Sequence, residues 1–91
     1  MDDITRADFA RQILDNPLFR EAFNALETDL ARQRQAVKIT DTELHTRLIV
    51  CEQVLSRFRD VLTRAIQDGD VAKLRMDLEN KKNAFQRVFA R

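Results

Sequence analysis

The residues able to do chemistry are few and scattered. His45 is the only histidine, and Asp41 would lie one turn before it on a helix. Metal centres draw several His, Cys or carboxylate ligands from set spacings. No second His or matching Cys stands with this pair, so His45 reads as a surface or cap residue. Cys51 is the only cysteine, which excludes a disulfide within the chain and suits a reducing compartment. It falls on an apolar stripe, where a thiol acts as a small buried hydrophobe. The acids are spread among bases. Arg20 with Glu27, Glu52 with Arg59, and Asp60 with Arg64 read as helix-surface charges, and only the last pair has the favourable four-residue spacing. One Gly in the chain excludes a Gly-rich phosphate cradle. The expectation is a protein with no catalytic residues, no metal site, no cofactor and no small-molecule substrate.

Two groups of bases remain. Arg32, Arg34 and Lys38 close one helical stretch, while Lys73, Arg75, Lys81, Lys82, Arg87 and Arg91 line another. Nucleic-acid binding needs several cations on one face to displace condensed counterions. Arg75, Lys81, Lys82 and Arg87 are the candidate contacts. The competing reading is solvation, because bases late in a helix suit its negative end. Solvation carries the most weight, a protein partner less, and nucleic acid the least. A helix-turn-helix is not apparent: the turn at residues 15–17 leads into Pro-Leu-Phe, apolar where a reading helix is polar.

The elements that hold these residues follow from periodicity. Leu44, Leu48, Cys51, Leu55, Phe58, Leu62 and Ala65 recur at steps of four and three, one stripe of a helix. Thr40 with Glu43 reads as its capping box, and Gly69 as its stop in the left-handed conformation. The sequence thus predicts a helix over 41–68. Val50, Val54 and Val61 form a flank beside the main stripe, and Ile49 and Ile66 widen it. An apolar arc this broad needs two neighbours, from this chain or another copy.

Upstream, Thr5 reads as the cap of a short helix over 6–14, with Phe9, Ala10, Ile13 and Leu14 as its apolar side. Asn16-Pro17 is a boundary, with Asn16 as cap and Pro17 at the first helical position. The second helix runs over 17–37, with Phe19, Phe23, Leu26, Leu30 and Val37 in line and Gln33 in a core slot. Gln33 marks either a helix end leaving the core or a buried amide setting register between chains. The short link to the third helix makes the two an antiparallel hairpin. Asp68-Gly69-Asp70 separates the third helix from a fourth over 71–89, whose stripe is Val71, Leu74, Leu78, Phe85 and Val88.

The totals agree with this reading. Ninety-one residues suit one small domain, 1–91. With 44% hydrophobic and 34% charged residues, one Gly, one Pro and Phe as the only aromatic, long solvated helices are favoured over strands. Net charge is only +1, but unevenly placed: residues 1–30 carry −4, 31–40 carry +3, 41–70 carry −2 and 71–91 carry +4. The acidic start lacks the basic and apolar blocks of a signal peptide, and no apolar run approaches the roughly 20 residues that span a bilayer.

Ile13-Leu14-Asp15-Asn16-Pro17-Leu18-Phe19-Arg20-Glu21-Ala22-Phe23-Asn24-Ala25-Leu26-Glu27 resembles a group of small phage and prophage helical proteins. Its members read, loosely, I-L-x-[DN]-P-L-[FW]-x-E-A-[FW]-x-x-L-E. Asp68-Gly69-Asp70-Val71-Ala72 is similar to their later acid-Gly turn followed by an apolar-Ala pair. Asp70 stands where a basic residue commonly follows the Gly, and the Trp usual between the second and third helices is absent. The resemblance implies a phage-encoded accessory of virion assembly or DNA packaging, located in the host cytoplasm during assembly or on the virion. It carries over no catalytic residues.

Together these readings give an all-α fold: a short N-terminal helix, an antiparallel helical hairpin and a C-terminal helix in an elongated bundle. The expected function is non-enzymatic assembly through helix–helix contacts, as a homo-oligomer with coiled-coil character or with other phage structural proteins. Val50, Val54, Phe58, Val61, Phe85, Val88 and Phe89 are the expected interface. The alternatives are a nucleic-acid-binding or packaging module using the basic C-terminal helix, and a small inhibitor of a host protein.

Overall fold

The computed structural model describes residues 1–89; Arg91 lies outside them. The described chain is all-α, with helices α1 (Asp3–Asp15), α2 (Pro17–Ala36) and α3 (Thr42–Phe89). At 1.5 Å per residue, the 48 residues of α3 span about 72 Å. That one helix accounts for the longest dimension of the molecule, 77 × 26 × 19 Å. The radius of gyration is 21.4 Å, against about 12 Å for a compact domain of this length.

Local chemistry places the helix starts. Asn16 caps α2 by accepting a hydrogen bond from Phe19 N–H at 3.0 Å, with Pro17 in the first turn, as the sequence suggests. The other two caps differ from expectation. α1 begins earlier: Asp2, not Thr5, is its cap, and Thr5 N–H donates to the Asp2 carboxylate at 2.6 Å. α3 is capped by Asp41 rather than Thr40, with Leu44 N–H donating to Asp41 Oδ1 at 3.2 Å. In both cases an acid supplies a stronger, charged acceptor than the expected Thr, Asp2 three residues before Thr5 and Asp41 directly after Thr40.

The larger correction concerns Gly69. The helices expected over 41–68 and 71–89 are one, and none of the described residues has positive φ. Gly69 does not end a helix; it is where α1 crosses α3. A Cβ there would lie 2.2 Å from the Ala7 Cβ and 2.9 Å from the Asp3 carbonyl oxygen. Ala7, Ala10 and Gly69 are all buried at this crossing. Small residues let the two backbones approach closely, and that packing offsets the roughly 1 kcal/mol that Gly costs inside a helix. The flanking Asp68 and Asp70 are then mid-helix residues, and Asp70 pairs with Arg11 across the crossing.

α2 runs antiparallel beside the first half of α3. Phe19 meets Phe58 with ring centroids 6.2 Å apart, and further along α2 Arg34 reaches back to Glu52. Phe23 and Leu48 are the buried large side chains of this hairpin, and Phe19, Leu30, Leu55 and Leu62 are half-buried beside them. The α1 face is the expected one only in part. Ala10 is buried and Leu14 half-buried as expected, and Ala7 is buried too, but Phe9 and Ile13 turn outward. The tight crossing at Gly69 selects alanines over larger side chains.

Candidate functional site

The groups singled out for chemistry stay apart. His45 is half-buried at the start of α3, with its backbone N–H donating to the Asp41 carbonyl at 3.1 Å. Its Nδ1 is buried without a hydrogen-bond partner among the described residues. Among those residues no three His, Cys, Asp or Glu side chains come together as a metal site. Cys51 is exposed, contrary to its expected burial, because α2 covers the adjacent face of α3 and leaves this one open.

The charge pairs also rearrange. Glu27 and Arg59, read from the sequence as ordinary helix-surface charges beside Arg20 and Glu52, pair with each other across α2 and α3 at 2.5 Å. Arg34 Nε lies 3.0 Å from Glu52 Oε1, an ion pair whose direction falls short of a hydrogen bond. Arg59 also lies over the Phe23 ring, 4.4 Å from its centroid, a cation–π contact that holds the guanidinium on the hairpin. These contacts brace the polar side of the α2–α3 pair. Gln33 is exposed and donates to Asp29 at 2.8 Å, as expected of a helix end leaving the core.

The opposite side of the hairpin is an open apolar groove. Phe19, Ala22 and Leu26 of α2 form one wall, and Val50, Val54 and Phe58 of α3 form the other. Three of the expected interface residues, Val50, Val54 and Phe58, thus share one surface. Val54 is 63% exposed and Val61, one turn beyond Phe58, is 62% exposed. A smaller patch at the α1–α2 corner gathers Phe9, Ile13, Leu18 and Phe19.

The remaining expected interface residues sit on the free arm of α3. Past the crossing with α1, Val71, Leu74, Leu78, Phe85, Val88 and Phe89 are all exposed, and Phe85 stacks on Phe89 at 4.4 Å between centroids. Because α3 is unbroken, the arm's stripe does not continue the hairpin's. At 100° per residue the direction turns by about 140° between Leu55 and Leu78, so the arm shows its apolar side away from the stripe that α2 covers. The same rotation separates the candidate nucleic-acid contacts. Arg75 and Lys82, seven residues apart, share a side, whereas Lys81 and Arg87 point about 100° or more away from them.

The total surface area reflects how open the rod is. The chain exposes 7731 Å², where a folded monomer of 10.7 kDa exposes about 5500 Å². The surplus is about 2200 Å², against the roughly 800 Å² that each partner contributes to a standard interface. No helix of the described residues is long and apolar enough to cross a membrane. No protein-family model, curated protein or solved structure matches the chain.

Proposed function

We propose that this is a non-enzymatic protein that works by helix–helix association, first of all with copies of itself. The observation that carries the reading is the surplus of about 2200 Å² of surface over a folded monomer of this mass. Its most apolar parts are the α2–α3 groove and the arm of α3. Among the hydrophobic side chains of the described residues only Ala7, Ala10, Phe23 and Leu48 are buried, too small a core to stabilise a lone rod. Covering the apolar faces supplies the missing burial at about 25 cal/mol per Å². The resemblance of residues 13–27 to small phage proteins supports a setting in virion assembly or packaging, where such a rod would act as a structural accessory.

The test is the mass of the purified chain by light scattering during size-exclusion chromatography, at low and high salt. A defined oligomer that persists at high salt is expected, since apolar contacts are not screened by ions. A compact monomer at both salt concentrations would overturn the reading.

A further inference from the structure

We propose that the apolar groove between α2 and α3 is the seat for the α3 arm, residues 71–89, of a second copy, with the two α3 helices antiparallel. The proposal rests on the self-association argued above and adds its geometry. Groove and arm are two exposed apolar surfaces on one rod, set on opposite sides of the α1 crossing. A twofold axis across the middle of α3 covers both at once, each copy giving an arm and receiving one. The groove cannot be filled by the chain's own arm, because α3 is unbroken through Gly69 and carries the arm away along the rod.

The seam is readable only because α3 is continuous. Steps of three and four residues lead from Val54 and Val61 through Arg64 and Asp68 to Val71 and Leu78. At 100° per residue Val54 and Leu78 differ by about 120°, and a seven-residue repeat of this kind is brought onto one seam by left-handed supercoiling as the helices pair. With the twofold axis at Ile66, Val54 lies against Leu78 of the second copy, Val61 against Val71, and Arg64 against Asp68. Each match occurs twice. Neither Arg64 nor Asp68 forms an ion pair within the described residues; both line a shallow polar hollow beside Arg57 and Asp60. The central ion pairs would therefore be made between copies.

Charge selects the antiparallel direction. In a parallel pair Arg57, Arg64, Asp68, Arg75 and Lys82 would each face their own copy, a run of like charges along the seam. Antiparallel pairing leaves one kind of like contact, Arg57 against Arg75, made twice. It also brings the bases of the arm beside the groove, which Asp29 lines. The surplus surface of about 2200 Å² per chain exceeds what a stable dimer takes from each partner.

The experiment is a spin-label distance on the full chain. Cys51 is replaced by Ala and a single nitroxide is attached through Gln53→Cys, an exposed position off the seam. With the twofold axis at Ile66, the two labels are separated by 26 residues of helix, about 40 Å. That distance, with a dimer mass by light scattering, is the expected result. A distance of about 20 Å or less would mean side-by-side labels and would overturn the antiparallel seating. A dimer mass with no dipolar coupling would place the contact elsewhere, beyond reach of the labels, and overturn the groove as the seat while leaving self-association intact. A monomer mass would remove both readings.

Discussion

Gly69→Ala is the sharpest probe of how this chain is built. In an unconstrained helix the change would stabilise by about 1 kcal/mol. Here the new methyl would stand 2.2 Å from the Ala7 Cβ and 2.9 Å from the Asp3 carbonyl oxygen. Carbon atoms rest near 3.5–4.0 Å apart, so α1 must retreat by about 1.5 Å. Both obstructing atoms are fixed to the α1 backbone, so no side-chain rotation relieves the overlap. Overpacking of this kind costs up to about 3 kcal/mol, which leaves a net loss of about 2 kcal/mol after the helix-propensity gain. For a domain of this size that lowers the thermal midpoint by roughly 10 °C, read at one fixed protein concentration because association shifts it as well. A glycine acting as a left-handed helix stop would also lose stability on this change, so the midpoint alone does not discriminate. Two further readings do. Amide exchange should quicken across Asp3–Asp15 while residues flanking position 69 stay protected. Ala7→Gly, costly alone, should recover part of the loss in the double variant, with a coupling of about 1 kcal/mol or more. Unchanged α1 protection, or additive effects of the two changes, would refute the crossing argument.

Three other outcomes follow from the same geometry. Val54→Asp and Leu78→Asp, on the groove and on the arm, should each reduce the oligomer to monomer by light scattering while helical circular dichroism persists; an unchanged mass in both would remove these surfaces from the interface. Arg64→Asp should weaken association by at least tenfold in dilution experiments, and Arg64→Asp with Asp68→Arg should restore it, because the swapped pair re-forms between copies; failure of the double variant to recover would argue against the central ion pairs. The hydrogen bond from Thr5 N–H holds the Asp2 carboxyl below its ordinary value of 3.8. Its contribution to the α1 start is therefore present above about pH 3.8 and is lost as pH falls through the lower folded value. A carboxyl titration of Asp2 by NMR should show the depressed midpoint, and Thr5→Pro, which removes the donor, should return it toward 3.8.

The residues expected at an interface are all exposed, but the structure does not group them on one surface. The valine flank of α3 was visible as a second stripe beside the first, and in the structure Val50, Val54 and Phe58 line one groove with α2. That Phe19, Ala22 and Leu26 form its other wall is not a property of spacing within either helix. It depends on how far α2 rolls around α3, which the Glu27–Arg59 and Arg34–Glu52 pairs and the stacking of Arg59 on Phe23 hold on the far side. The same roll exposes Cys51, which periodicity alone places with the buried residues.

The sequence by itself determined what is local. Asn16-Pro17 starts α2 because a side-chain acceptor and a preset φ act within one turn, and apolar steps of three and four make helices with sided faces. The all-α class and the hairpin follow from those signals and a short link. Only the tertiary structure decided Gly69. A lone glycine between two aspartates carries the same local signal whether it ends a helix or admits another helix against its backbone. The choice is made by Ala7, some sixty residues away in sequence and in contact through the close approach of α1. That contact keeps α3 unbroken, turns the arm's stripe away from the hairpin, and leaves two apolar surfaces uncovered on one rod.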